Sequence, residues 1–428
     1  MQQADRHNPM DSLCSRLPGI ISEEKMSSTL SQPKTFDLAQ VQAALTAEGV
    51  DGWLFYFFHD NDPIALRILG LTGNHFVSRR WFYYVPAKGT PTKLVHRIEM
   101  DSLDAVPGDK VVYLGWKELE AKLKDILAGK KKVAMQYSPG NAIPYVSRVD
   151  AGTIELVKSA GCDVVTSANL VSYFEARLTP SQLETHIEAV ETLRKIVFEA
   201  FAMIKKAISS SKRITEYEVQ QFIVESYDRY GLTSNSPPIV AVNGHAGLPH
   251  YQPTATNHEE IRENDFVLLD IWAKKKSPED AVYGDITWTG YVGTEVPQKF
   301  VDVFEIVRDA RDAALNFVRA AAKDGREIKG WQVDDAAREH ITSKGYGKDF
   351  VHRTGHSICT EVHANGANID NLETRDERKI IAKTAFSIEP GIYLSDFGVR
   401  SEIDVYVDNE QVVVAGQPIQ TEIVKILD

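Results

Sequence analysis

The apolar residues in the first half of this chain fall into short runs that alternate with helical patterns. Apolar positions between residues 38 and 50 have the spacing of one helix face, and the apolar run 53–58 follows directly. Strands are predicted at 53–58, 81–85, 93–98, 110–114, 132–136 and 163–166, and helices at 38–50, 116–127 and 153–160. Alternation of this kind indicates an α/β domain, which we expect to span residues 35–175.

The pattern changes after Thr179 and Pro180, which provide an N-cap and a first-turn proline for a long helix ending near residue 208. Further helical patterns cover 216–230, 297–322 and 331–343. Strand-like segments lie between and after these helices. Helices that cover one face of a sheet predict an α+β domain, here residues 176–428. Residues 1–34 are polar and lack the apolar core of a secretory signal, so we expect a disordered leader.

Composition narrows the classes of partner. The chain has 428 residues, with 48 basic and 60 acidic side chains and a net charge of −12, which disfavours nucleic acid and anionic membranes. No apolar run approaches the roughly 20 residues that span a bilayer. Its 3 cysteines are too few for a disulfide framework. We therefore expect a cytoplasmic protein.

The candidate chemistry lies in charged residues that interrupt apolar, strand-like sequence. The carboxylates are Asp270, Asp285, Glu389 and Glu402, and the histidines of one short stretch are His352, His356 and His363. Asp270 follows the apolar strand 266–269 and is predicted to end it. Charges on a buried strand face are costly unless they are paired or bound to metal. Together these residues predict a metal site, and one ion could hardly balance the four carboxylates.

Alternation along two of the strands predicts which side chains point the same way. A period of two places three charged residues on one face near the end of the chain; these are Arg400, Glu402 and Asp404. The same period groups Asp285, Thr287 and Thr289. We expect both faces to line the site.

The ligand candidates follow one another in the order Asp, Asp, His, Glu, Glu. Their contexts are Leu-Leu-Asp270, Gly-Asp285-Ile-Thr, Thr-Gly-His356-Ser-Ile, Ile-Glu389-Pro-Gly and Ser-Glu402. This set resembles the pita-bread metallopeptidases, which include methionine aminopeptidase, aminopeptidase P and prolidase. The resemblance extends from residue 36 to the end. It implies an α/β N-terminal creatinase-like domain followed by an α+β pita-bread catalytic domain.

The resemblance also implies roles for these residues. Asp270 would chelate one ion, His356 and Glu389 would hold another, and Asp285 and Glu402 would bridge the two. A mostly oxygen ligand set favours Mn²⁺, with Co²⁺ or Zn²⁺ as alternatives. Hydrolysis would use a hydroxide that bridges the ions, with Glu389 as the proton shuttle.

Four further residues match or adjoin family positions outside the ligand set. His352, His363 and His250 match positions that contact substrate and steady the tetrahedral intermediate, so we expect all three to act in catalysis. Arg400 lies two residues before Glu402 and either supports the carboxylates, which we favour, or reaches substrate.

Two features depart from the family pattern. The gap between Asp270 and Asp285 is longer than usual, and we expect residues 274–282 to form an extended hairpin loop. Asp280 is therefore a rival ligand, although Asp285 stands in the family context Asp-Ile-Thr. Trp288 occupies a position where many relatives have arginine, which affects expected substrate contacts near that strand.

By this resemblance the expected activity is that of an Xaa-Pro dipeptidase, or prolidase. The alternatives are an Xaa-Pro aminopeptidase acting on longer peptides and a non-catalytic binding relative; creatinase-like C–N hydrolases lose the ligands that this chain keeps. A dipeptidase needs a cation for the free carboxylate of its substrate, and Arg375 or Arg378 are candidates. We also expect a homodimer.

Overall fold

The computed structural model describes residues 36–71, 77–409 and 411–428, so the predicted leader lies outside the described residues. The N-terminal part is an α/β domain. Its strands are Gly52–Phe57 (β1), Trp81–Pro86 (β2), Thr92–His96 (β3), Asp109–Tyr113 (β4), Lys132–Met135 (β5) and Asp163–Thr166 (β6). Its helices are Leu38–Glu48 (α1), Pro63–Leu69 (α2), Trp116–Leu127 (α3), Ala151–Ser159 (α4) and Ala168–Glu175 (α5).

All six strands join one mixed sheet in the order β4-β3-β2-β1-β5-β6. The central strands β1 and β2 are buried along their whole length because helices and loops cover both faces. That burial explains why the sequences of these strands are continuous apolar runs. The six predicted strands and three predicted helices are all present, each to within about two residues at its ends. The helices α2 and α5 were not predicted.

The second part is an α+β domain whose described residues form four long helices, one mixed sheet and two antiparallel sheets. The helices are Pro180–Ser209 (α6), Glu216–Arg229 (α7), Gln298–Lys323 (α8) and Gly330–Ser343 (α9). The strands are Leu232–Thr233 (β7), Ile239–Val242 (β8), Phe266–Lys275 (β9), Gly284–Tyr291 (β10), Ser357–Ile358 (β11), Thr384–Ile388 (β12), Gly391–Tyr393 (β13), Gly398–Arg400 (β14), Ile403–Asp408 (β15), Gln411–Val414 (β16) and Val424–Lys425 (β17). Helix α6 starts as predicted, with Thr179 in a capping box and Pro180 in the first turn.

Two helix pairs cover two sheets. Helices α6 and α7 pack on the sheet ordered β17-β10-β9-β7, to which β8 is added through β9. Helices α8 and α9 pack on the sheet ordered β11-β12-β15-β16. The backbone N–H of Asp285 in β10 donates to Asp404 in β15, so the two sheets meet at that point. The polar residues predicted to line the site lie at this junction.

Two local predictions were wrong. Asp270 does not end its strand, because β9 continues for five more residues while it pairs with β10 in a long antiparallel hairpin. Arg400 and Glu402 do not belong to one continuous strand, since β14 ends at Arg400 and β15 begins at Ile403. The hairpin loop predicted between Asp270 and Asp285 is present but shorter than expected.

Helices α6 and α8 have the length to cross a bilayer, with 30 and 26 residues. Both carry charged side chains throughout. Among the helices in the described part of the chain, none is both long and apolar enough to span a membrane.

Candidate metal centre

Three side chains from different elements converge at the sheet junction. Ligand atoms of Asp285, His356 and Glu402 all lie within 4.8 Å of one another, and the three residues are buried. The Nε2 atom of His356 is 3.4 Å from Asp285 Oδ2 and 3.3 Å from Glu389 Oε1. Four of the five predicted ligands are therefore in direct proximity.

Asp270 joins this group through Arg400. The Arg400 Nη2 atom donates to Asp270 Oδ2 at 2.5 Å, and Nε donates to Thr287 Oγ1 at 3.1 Å. The Thr287 hydroxyl in turn donates to Glu402 Oε2 at 2.9 Å. Thr287 also faces Asp270 directly in the β9–β10 pairing. The predicted period of two in β10 is confirmed here, because Asp285 and Thr287 both contribute to the site.

Burial and mutual repulsion disfavour the ionised form of the carboxylates in this cluster when no cation is bound. Burial, and then the charges of Asp270 and Asp404, raise the pKa of Asp285 well above its usual value. Burial, followed by the charge of Asp285, does the same to the pKa of Glu402. Burial raises the pKa of Glu389 to about 7, against the opposing charge of Arg400. A bound cation would reverse each of these effects.

The donor atoms fit a divalent cation. Asp285 Oδ1 and Glu402 Oε1 are buried and accept no hydrogen bond from any described residue. Buried oxygens of this kind cost free energy unless something satisfies them. Burial, together with His363 and Arg353, lowers the pKa of His356 well below its usual value, which leaves the neutral imidazole that binds metal. Carboxylate oxygens with one imidazole suit Mn²⁺, Co²⁺ or Zn²⁺.

A tight contact behind His356 fixes its position. Ser387 Oγ accepts the His356 backbone N–H and donates to Glu389 Oε1, both at 3.0 Å. The preceding Gly355 passes so close to β12 that a Cβ atom would lie 2.0 Å from the Ser387 carbonyl oxygen. The glycine between Thr354 and His356 is thus required by packing, and Ser387 connects two ligand candidates.

Of the outer histidines, His352 is engaged inside the protein. Its Nε2 is 2.6 Å from the Tyr393 hydroxyl, and its Nδ1 is 2.6 Å from the Arg353 carbonyl. Arg400 Nη1 donates to the same Tyr393 hydroxyl at 2.7 Å. Burial and the charge of Arg400 lower the pKa of His352 to about 3, so its imidazole is neutral. The ring accepts from Tyr393 and donates to the carbonyl.

His363 and His250 are exposed beside the cluster. The His363 ring centroid is 4.3 Å from that of His356, at nearly a right angle. Burial of part of the ring and the charge of Arg353 lower the pKa of His363 to about 4. Arg400 Nη1 lies 3.4 Å from the carbonyl of Pro249, which holds the loop that carries His250. These two histidines stand where a ligand can reach them.

Three other sequence candidates lie apart from the cluster. Asp280 is exposed in the β9–β10 hairpin loop and is absent from the cluster of ligand atoms. Arg375 is exposed and pairs with Glu377 at 2.9 Å. Arg378 is buried and pairs with its own neighbour Asp376, and its Nη1 donates to a backbone carbonyl. Arg378 is therefore held in a buried ion pair, whereas Arg375 is a surface arginine.

Three residues around the site had no role predicted from the sequence. Tyr393 links His352 to Arg400, and only its place after Glu389 hinted at it. Asp404 was predicted on the correct face but without its role of accepting the Asp285 N–H at 2.8 Å. His186, fully buried on α6, lies 3.9 Å from Asp404. The sequence feature that could have indicated a buried histidine was its place just before the apolar stripe of α6.

Comparison with known proteins agrees with this geometry. The model of metallopeptidase family M24 matches residues 185–409, more than half of the chain. A dipeptidase from Mycobacterium ulcerans has 22% identity and a TM-score of 0.63, over 91% of this chain and 96% of its own. A prolidase from Thermococcus sibiricus has 23% identity and a TM-score of 0.57, over 90% and 98%.

A third solved structure adds an enzyme whose site is described as di-nuclear. This cytosolic X-prolyl aminopeptidase from Caenorhabditis elegans has 18% identity and a TM-score of 0.59, over 90% of this chain and 62% of its own. At these identities the structures show a shared fold, which is the expected α/β domain followed by a pita-bread domain. The family match covers all five candidate ligands. The chain belongs to metallopeptidase family M24.

Proposed function

We propose that this protein hydrolyses the Xaa-Pro bond of dipeptides with the help of two divalent metal ions, Mn²⁺ being the best suited. The observation that carries the proposal is the buried cluster of Asp285, His356 and Glu402, with two carboxylate oxygens that lack a partner among the described residues. Solved structures with this fold include a dipeptidase, a prolidase and an X-prolyl aminopeptidase.

In the proposed arrangement Asp270 would hold one ion, His356 and Glu389 would hold the other, and Asp285 and Glu402 would contribute to both. Two ions suit the charge of the site, because among the described residues Arg400 alone pairs with one of the four carboxylates, at Asp270. The related aminopeptidase with a di-nuclear active site supports the same number. Arg400 would then position Asp270 rather than neutralise the whole cluster.

Divalent ions at this site would lower the pKa of a water and polarise the scissile carbonyl. The protein's own residues would transfer the proton and position the peptide. Glu389, whose Oε1 is held by Ser387, would take the proton of the attacking water and pass it to the leaving proline nitrogen. His363 and His250, exposed beside the cluster, would contact the peptide. His352 would act through the Tyr393 hydroxyl, which it orients together with Arg400.

The test is to remove metal with EDTA and then add Mn²⁺ back while cleavage of Ala-Pro and Ala-Ala is followed. We expect no cleavage without metal, restored cleavage of Ala-Pro with Mn²⁺, and none of Ala-Ala. Restored cleavage of Ala-Ala at the same rate would rule out a proline-specific enzyme. Absence of any cleavage with metal bound would favour the non-catalytic relative. The predicted homodimer and cytoplasmic location stay predictions.

A further inference from the structure

We propose that Arg353, held by Tyr145 of the N-terminal domain, binds the free carboxylate of the substrate's C-terminal proline. The proposal rests on the proposed Xaa-Pro dipeptidase function and names the group that would restrict it to dipeptides. It replaces Arg375 and Arg378, the arginines that the sequence suggested for this role.

Arg353 lies inside the histidine stretch, between His352 and the metal-ligand candidate His356. Its Nη1 atom donates to the Tyr145 hydroxyl at 2.7 Å. Its backbone N–H donates to Glu373 at 3.1 Å, but no carboxylate of the described residues forms an ion pair with the guanidinium. An arginine next to an active site without a charged partner is available for an anionic ligand.

Arg353 is half-buried and lies three residues before His356, and its charge contributes to the electrostatics of the cluster. It contributes to the lowered pKa of His356 and of His363. It also opposes the rise in the pKa of Glu389 that burial causes. These contributions agree with the place of Arg353 in the same short stretch as His352 and His356.

The other arginines near the site already have carboxylate partners. Arg400 pairs with Asp270, and Arg338 forms a two-bond pair with Asp334 at 2.7 and 2.9 Å. Arg378 is bonded to Asp376, and Arg375 points into solvent beside Glu377. Breaking such a pair to bind substrate would leave a carboxylate unpaired, at a cost of several kcal/mol when it is buried. Arg353 has no such pair to break.

Tyr145 adds a second polar group and fixes the arginine. It lies in the short turn Pro144–Val146, and its half-buried ring is 5.9 Å from the guanidinium carbons of both Arg353 and Arg378. Because the Tyr145 oxygen accepts from Arg353, its own O–H remains free to donate. A guanidinium and a hydroxyl side by side offer two donors to the two oxygens of one carboxylate.

The experiment compares Ala-Pro with Ala-Pro-amide in the Mn²⁺-loaded wild type, Arg353→Met and Arg375→Met. Wild type is expected to prefer the free acid by on the order of 10²-fold in kcat/KM, because the amide leaves the arginine without its anion. Arg353→Met should lose about the same factor on Ala-Pro, mainly through KM, and little on the amide, so the preference disappears. The matched control Arg375→Met should behave as wild type.

Tyr145→Phe should lose part of the preference for the free acid. This second variant keeps the proposal testable if Arg353→Met does not fold.

Each outcome decides the proposal. An unchanged preference for the acid in Arg353→Met would overturn it, as would equal cleavage of acid and amide by wild type, with the peptidase function left intact. If wild type cleaves neither substrate, the proposed function fails. The role of Arg353 is then tested by calorimetric titration of L-proline and of L-prolinamide into wild type and into Arg353→Met. Proline binding that is stronger than prolinamide binding only when Arg353 is present supports the proposal. Equal binding in both proteins overturns it.

Discussion

At the scale of single residues, the site depends on charges that the fold buries without pairing. Asp285 and Glu402 each keep one oxygen without a partner in the described structure, although both residues are almost inaccessible to solvent. These residues could be predicted from the sequence because a carboxylate in an apolar strand needs a special reason. Arg353 and Tyr145 could not, because nothing local distinguishes an unpaired arginine from a surface one.

Replacing a central ligand candidate should remove both metal and turnover. Asp285→Ala and Glu402→Ala are each expected to lower bound Mn²⁺ and abolish Ala-Pro cleavage, because each side chain would contribute to both proposed ions. Metal content after dialysis, measured by mass spectrometry, checks this. Asp280→Ala is the matched control and should retain both properties, since Asp280 is exposed in the hairpin loop. Wild-type metal content in either of the first two variants would contradict the ligand assignment.

His352→Ala should bind metal normally but lose rate by a factor on the order of 10²–10³, as when one oriented donor is removed from an active site. The structure gives the reason, since His352 and Arg400 together orient the Tyr393 hydroxyl. Tyr393→Phe should show a similar loss, and the double variant should be little worse than either single one. Additive losses in kcat would show that the two residues act separately. Loss of metal from His352→Ala would make that histidine a ligand.

At the scale of elements, patterns along the chain predicted most helices and strands. Alternation placed Asp285 and Thr287 on one face correctly, because both strands of the hairpin have one face toward the site. It failed for the end of β9, since the strand continues only because β10 pairs with it. Helix α2 was missed although Asp62 and Pro63 are an N-cap and a first-turn proline, because seven residues give too little periodicity.

Gly355→Ala tests how the His356 segment is held against β12. The added Cβ atom would lie 2.0 Å from the Ser387 carbonyl oxygen, so the two segments must move apart. We expect a loss of about 1–3 kcal/mol in the free energy of unfolding, as for other overpacked sites, and weaker Mn²⁺ binding. Thermal denaturation and a binding titration measure these. Gly115→Ala is the control, because a Cβ there meets no atom within 4 Å. Equal stability of both variants would contradict the close contact.

At the scale of the whole molecule, the N-terminal domain contacts residues 365–379 of the second domain. Asn365 Nδ2 donates to Glu175 at 2.6 Å, and the Lys379 N–H donates to Asn169 at 3.2 Å. Together with Tyr145, these contacts bring the N-terminal domain to the edge of the site. Contacts between residues some 200 positions apart leave no local signal, so sequence patterns could give the two domains but not this arrangement.

This arrangement predicts selection by substrate length. Xaa-Pro should be cleaved faster than Xaa-Pro-Yaa, and long peptides not detectably, because the terminal carboxylate of a longer peptide would not lie where Arg353 could bind it. Comparing kcat/KM for Ala-Pro and Ala-Pro-Ala measures the effect. Equal or faster cleavage of the tripeptide would identify an aminopeptidase that acts on longer peptides.

The proposed site binds two ions, and turnover requires both. The most direct test of this two-ion site is a stepwise titration of Mn²⁺ into metal-free protein, with bound metal and Ala-Pro cleavage measured at each step. We predict no turnover without metal and a plateau in both signals at two ions per chain. Full turnover in the metal-free protein, or a plateau in both signals at a single ion, would contradict it.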